Sequence, residues 1–255
     1  MNAPHRHDPG LQQPYPALPG GRLRYLLYLP PGFNDPPDRP WPVLCFLHGR
    51  GEAARNVEGV AQPIELLFSH GAPPWHCAVN SSLVCEFIVI SPQLPEQRPW
   101  QPDDLQELRE ILETVYADLR GDRDRTYLSG FSLGGRGVFD FAAWSTTLPT
   151  TSATEPLRWA ALWPVDDAAT SPRTSCDVQR IWLHFGTWRP EVNGISAWNL
   201  DLCAANPTRD PHPQGDRLYT DYSSPGYDHC QTCRAAYADA GVYQWLLRSG
   251  RRRMA

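Results

Sequence analysis

The chain has 255 residues, 41% of them hydrophobic, which is enough to bury one substantial core and fits a single α/β domain better than two small ones. A formal charge of -5 leaves no basic footprint for nucleic acid, and no apolar run approaches the roughly 20 residues needed to cross a bilayer, so a soluble protein is expected. All 23 basic residues are arginine, which excludes Schiff-base chemistry and a lysine-bearing phosphate loop, since both need an amine.

The opening stretch "MNAPHRHDPGLQQPYP" lacks the apolar segment of a secretion signal. Residues 1–20 therefore read as a flexible tail before a domain at 21–250, and the cytoplasm is the expected compartment. "RLRYLLYLP" (22–30), "PVLCFLHG" (42–49), "CEFIVISPQ" (85–93) and "DRTYLSG" (124–130) are dense apolar runs closed by Pro or Gly, and read as strands. Between the last two, Leu105, Leu108, Leu112, Val115 and Leu119 recur at three- and four-residue spacing behind Asp103 and Asp104, which suit a helix N-terminus. "GGRGVFDFAAW" supplies a second helix, and "STTLPTTSATEPLR" (145–158) reads as a surface loop. "RWAALWPV" (158–165), "QRIWLHFG" (179–186) and "RLYTDY" (217–222) give three more strands, and "AAYADAGVYQWLLRSG" a closing helix. Strands alternating with helices predict one mostly parallel central sheet with helices on both faces, its sites at the carboxyl ends of the strands.

Seven cysteines are an odd number, and Cys45 and Cys85 fall in strand-like runs where cysteine behaves as a small hydrophobe, so reduced thiols are expected rather than a disulfide frame. Cys230 and Cys233 flank no second pair with ligand spacing, and no metal or other cofactor is expected.

Gly130-Phe131-Ser132-Leu133-Gly134 fits G-x-S-x-G between a strand and a helix. Such a turn holds a serine up for nucleophilic attack, with the Leu133 N–H at the mouth of the helix facing the oxygen that gains charge. The plainer alternative is a serine that caps the helix. A serine nucleophile needs a base, and His229, between the last strand and the last helix, has the position for one; its alternative is a helix-capping or surface histidine. Glycines in His48-Gly49-Arg50-Gly51-Glu52 let backbone approach a ligand, which makes the Arg50 N–H a second oxyanion donor, while His48 braces the loop.

The blocks "FLHGRGE", "VISPQLPE", "YLSGFSLGGRGVFDFA" and "GYDHCQTCRAAYADAGVYQWLL" resemble those of the α/β-hydrolase superfamily, in particular the esterase branch similar to bacterial phospholipase/carboxylesterases and polyhydroxybutyrate-depolymerase-like proteins. The resemblance spans residues 22–248 and implies an α/β-hydrolase fold and a cofactor-free serine esterase. Ser132 would be its nucleophile, His229 its base, and Arg50 and Leu133 its oxyanion donors. The sequence departs from that pattern where the triad acid usually sits, in "HFGTWRPEV", with Arg189 at the aspartate position. Glu191 lies two positions on, and Asp166 and Asp167 follow the preceding strand. Asp166 is preferred because a strand end is a stiffer mount than a proline-containing loop; the alternative is that all three are solvated loop carboxylates.

Trp75, Trp100, Trp163 and Trp188 fall in or beside loops at the rim, and with Phe131 they suggest a pocket for a bulky apolar or aromatic ester; the plainer alternative is that the tryptophans fill the core. Trp163, Trp188 and Phe131 are the expected pocket residues, and a small-molecule ester is the expected partner. Two rivals share the scaffold: a lyase or cyclase that uses His229 and a carboxylate for proton transfer, and a non-catalytic binding protein.

Overall fold

A computed structural model describes residues 8–36, 38–54, 56–57, 60–61, 63–147, 157–167, 180–188, 203–204 and 216–250. Its strands in chain order are β1 (Gln12–Tyr15), β2 (Arg24–Tyr28), β3 (Trp41–Leu47), β4 (Asn56–Val57), β5 (Val60–Ala61) and β6 (Ile88–Gln93). There follow β7 (Gly121–Phe131), β8 (Ala161–Val165), β9 (Ile181–Phe185), β10 (Cys203–Ala204) and β11 (Arg217–Asp221). The helices are α1 (Pro73–Ala78), α2 (Pro102–Asp118), α3 (Leu133–Ser145), α4 (His229–Ala238) and α5 (Ala240–Arg248).

Nine strands form one sheet in the order β1-β2-β6-β3-β7-β8-β9-β11-β10, and β4 with β5 makes a separate two-stranded ribbon. In the nine-stranded sheet β2 runs antiparallel to both β1 and β6, and the pairings from β6 across to β10 are parallel. Alternation along the strands explains why helices cover both faces. In β3, Val43, Cys45 and Leu47 join the core made with α2 and α3, while Leu44 and Phe46 join the core made with α1, α4 and α5. Each large side chain removed from water in this way contributes about 1.5–3 kcal/mol.

The chain leaves β3 to build β6 on one side and then returns to build β7 on the other. The carboxyl ends of β3 and β7 therefore flank a topological switch point, the place where open α/β sheets hold their ligands. The loops there carry His48-Gly49-Arg50 and Ser132.

Three expectations are corrected. Gln12–Tyr15, expected in the flexible tail, pair antiparallel with β2, and Tyr15 stacks on Tyr25 at 5.3 Å. One short edge strand containing Pro14 carries too little alternation to be read from sequence. The closing helix is two helices, because the Asp239 side chain accepts from the Gly241 N–H and starts α5 afresh. Trp163, expected in the pocket, is fully buried in β8, where it donates to His184 Nδ1 at 3.1 Å and packs on Tyr237 and Tyr243.

Candidate active site

Ser132 sits between β7 and α3 with φ 58° and ψ -117°, a left-handed backbone that a non-glycine residue adopts only at a cost. The neighbouring glycines are required by contact. A Cβ on Gly134 would lie 1.8 Å from Leu47 O, and one on Gly130 would lie 2.3 Å from Gly134 O. The Ser132 N–H donates to Val165 O at 3.0 Å, which ties the turn to the end of β8. Its side chain makes no capping hydrogen bond to α3, so the helix-cap alternative finds no support in the geometry. Leu133 is the first residue of α3, and the helix ladder itself supplies no acceptor for its N–H.

Asp166 lies one residue past β8, next to the turn that carries Ser132. Its φ is 47° and its side chain is fully buried. Its Oδ2 is 2.6 Å from His229 Nδ1, and its Oδ1 accepts the Gly186 N–H at 3.3 Å. Burial pushes the Asp166 carboxyl above the usual range, while the hydrogen bond and charge of His229 and then the Gly186 N–H pull it back. Asp167 beside it is also fully buried, and its backbone lies 3.2 Å from where a Gly135 Cβ would be. Arg189 and Glu191 lie outside the described residues.

His229 is the first residue of α4, but it does not cap that helix. Asp228 does: its carboxylate accepts the Gln231 N–H at 2.8 Å, and Gln231 Oε1 accepts the Asp228 N–H at 2.9 Å. The imidazole is left to Asp166 at Nδ1 and to two aromatic rings, Trp188 stacked at 3.7 Å and Phe131 at 4.4 Å. Of the expected rim tryptophans only Trp188 reaches the histidine. Trp100 is buried beneath the loop after β3, where it donates to His48 O at 3.2 Å, and Trp75 is exposed on α1.

The loop after β3 is held from several sides. His48 Nε2 accepts the Leu94 N–H at 2.9 Å, which puts the ring proton on Nδ1, 2.5 Å from Gly49 O. Burial lowers His48 to about 4 and keeps it neutral, as befits a brace. Gln93 Nε2 donates to Glu52 O at 2.8 Å, and Gln97 Nε2 to Arg50 O at 3.1 Å. Arg50 opens the 3-10 turn Arg50–Glu52, so its N–H, like that of Leu133, lies at a helical N-terminus.

Two residues that sequence reasoning left without a role belong to this neighbourhood. Glu52 is buried, and burial pushes its carboxyl up to about 7, against the N–H groups of its own residue and Gly49, which hold it down. Its Oε2 lies 3.1 Å, and Ser132 Cβ 3.2 Å, from the point a Gly49 Cβ would occupy. Its Oε1 lies 3.7 Å from Nε2 of His70, whose ring packs on Phe131 at 5.7 Å. Only the glutamate's place inside the glycine loop could have signalled it; His70 comes from a distant, irregular segment. Among the described residues no three His, Cys, Asp or Glu side chains are grouped to hold a metal ion, and no helix is long and apolar enough to cross a membrane.

Neither a protein-family model nor a curated protein matches the chain. Solved structures do. An S-formylglutathione hydrolase from Agrobacterium tumefaciens is 13% identical, with 90% of each chain covered and a TM-score of 0.54. A feruloyl esterase module from Clostridium thermocellum complexed with sinapinate is 16% identical, covers 91% of this chain and 86% of its own, and has a TM-score of 0.58. An arylesterase is 13% identical, with 95% and 86% covered and a TM-score of 0.58. With the strand order above, these likenesses show the α/β-hydrolase fold.

Proposed function

We infer that this chain hydrolyses carboxylic esters through an acyl-enzyme on Ser132. The observation that carries this reading is the 2.6 Å contact between His229 Nδ1 and Asp166 Oδ2 beside a serine held at positive φ without a capping bond. With its Nδ1–H donated in a hydrogen bond to Asp166, the imidazole has its Nε2 lone pair free to take the proton of Ser132 Oγ as that oxygen attacks the carbonyl. The N–H groups of Leu133 and Arg50 stabilise the oxyanion; the tetrahedral intermediate collapses, the alcohol leaves with the proton from His229, and water repeats the cycle on the acyl-enzyme. No cofactor takes part in these steps.

Asp166 does two things in this scheme. It fixes the imidazole tautomer and it stabilises the imidazolium that forms, and its mount at a strand end keeps it in place for both. Phe131 and Trp188 flank the base and give the acyl or alcohol group an aromatic wall, which suits a bulky apolar or aromatic ester. Esters are also what the fold neighbours' names refer to, feruloyl esters and aryl esters among them.

The test is intact-mass spectrometry after exposure to a fluorophosphonate probe, with Ser132→Ala in parallel. A single adduct on the wild type that is absent from Ser132→Ala is the expected result. A folded wild type that takes no adduct and cleaves no aryl ester would refute the reading.

A further inference from the structure

The serine esterase chemistry above makes no use of Glu52 or His70, yet both lie against it. Glu52 is set into the loop that carries the Arg50 N–H, with a side chain only 5% exposed, and it has a carboxylate oxygen on each side of that loop's inner wall. Oε2 lies beside Gly49, where a Cβ would be 3.1 Å from it and 3.2 Å from Ser132 Cβ, and Oε1 lies 3.7 Å from His70 Nε2. His70 and His229 pack against the same phenyl ring, that of Phe131, so His70 lines the nucleophile's surroundings on a second side. Its side chain is 31% exposed and within reach of a ligand. Its backbone is held at φ 61°, in the left-handed region.

The separation between Glu52 Oε1 and His70 Nε2 is 3.7 Å, too long for a hydrogen bond between them. A buried acceptor and a half-exposed ring nitrogen that face each other across such a gap are matched to one kind of third group, a group that donates and accepts at once. A hydroxyl does both. An ammonium group would find Arg234 and His229 acting on the same imidazole, and a carboxylate would meet Glu52. Burial, with Arg234 and His229, lowers His70 and leaves it a neutral hydrogen-bonding group rather than a charge.

On the strength of the esterase reading, we propose that Glu52 and His70 form a hydroxyl-binding subsite beside Ser132, and that the natural ester carries a hydroxyl group close to its scissile carbonyl. The hydroxyl donates its one proton to Glu52 and accepts from the N–H of the His70 ring, and no bond is made or broken at this subsite. Two ester halves could bring that group, the acyl part or the alcohol part.

The experiment compares kcat/KM for esters that exchange a methyl for a hydroxyl, each rate normalised to the ester's own alkaline hydrolysis. Phenyl glycolate against phenyl propionate places the hydroxyl on the acyl side, and 2-hydroxyethyl acetate against propyl acetate places it on the alcohol side. The wild type is expected to favour one hydroxyl ester over its isostere by about tenfold or more, since a site built to bind a hydroxyl discriminates strongly against its absence. In Glu52→Gln, and in His70→Gly, which accepts the positive φ, that ratio is expected to fall to about twofold or less whatever happens to the absolute rates. A wild type that takes the fluorophosphonate on Ser132 but shows no preference in either pair overturns the subsite and leaves the esterase reading standing. So does a preference that survives in both variants. A wild type that neither labels nor hydrolyses removes the esterase reading, and the subsite with it.

Discussion

Replacing Glu52 with Gln should stabilise the protein, and by an amount that depends on pH. The carboxyl is buried and its affinity for a proton is raised from 4.5 to about 7, so the native state holds a proton that the unfolded chain has already released. Between those values the unfolded state binds fewer protons than the native one, and stability therefore falls as pH rises through the window. The cost is small at pH 5, under about 1 kcal/mol, and reaches about 3 kcal/mol at pH 8.5, where the carboxylate is charged in both states. Gln keeps the shape and a carbonyl acceptor for the Gly49 N–H but carries no charge at either pH. Every other titrating group is common to both proteins and cancels in the comparison. Urea unfolding of wild type and Glu52→Gln at pH 5 and pH 8.5 should therefore show the variant's relative stability improving by about 2–3 kcal/mol from the lower to the higher pH. A difference that stays constant across the two pH values would show that the carboxyl is not desolvated, and the account of this loop would have to be rebuilt.

Asp166→Asn should cut the rate of Ser132 labelling by about three to four orders of magnitude without loss of the fold, because an amide NH₂ turned to His229 Nδ1 forces the ring proton onto the nitrogen that must accept from serine. Labelling kinetics beside Asp167→Asn checks this, and an equal loss in both variants would move the acid away from Asp166. On the acid side, His48 and His184 are held neutral by burial, lowered to about 4 and about 3 from 6.5. Their contribution is complete above pH 6.5 and is lost as pH falls toward 4, by about 3 kcal/mol each, which exceeds what protonation of Glu52 returns over the same range. The urea midpoint should accordingly drop steeply below pH 6, and a midpoint that is flat from pH 7 to pH 4.5 would contradict their burial as neutral groups.

The central strands and the two glycine turns were legible because long apolar runs closed by Gly or Pro admit few readings; β6 falls within such a run, and β3 and β7 overlap theirs, with β7 running past it at both ends. The contact of Asp166 with His229 was legible for a different reason: with Arg189 at the usual position of the acid, the carboxylates left to consider differed in the stiffness of their mounts. Trp163 was misplaced because a tryptophan at a strand end looks the same in sequence whether it faces a cleft or a core. Its partner His184, which settles the matter by accepting the indole N–H, comes from the neighbouring strand β9. Glu52 and His70 were passed over for a similar reason. Their encounter depends on a left-handed residue in a 3-10 segment, and nothing local in "ELLFSHGAPP" marks it.

The acid's place at the tip of β8 has a consequence for how this scaffold can change. Where an enzyme of this fold draws its carboxylate from the loop after β9, that loop is bound by two obligations, to the base and to whatever ligand it meets. In the mechanism proposed above Asp166 meets the first from one strand away, tethered by the Gly186 N–H and by the β8–β9 pairing through Asp166 N–H to His184 O at 2.8 Å. On that proposal the proton chemistry makes no demand on the sequence beyond Trp188. If the esterase proposal holds, insertions, deletions or grafted segments there should change which ester is taken up while leaving the proposed triad in place, and directed evolution of selectivity would have its library in that stretch.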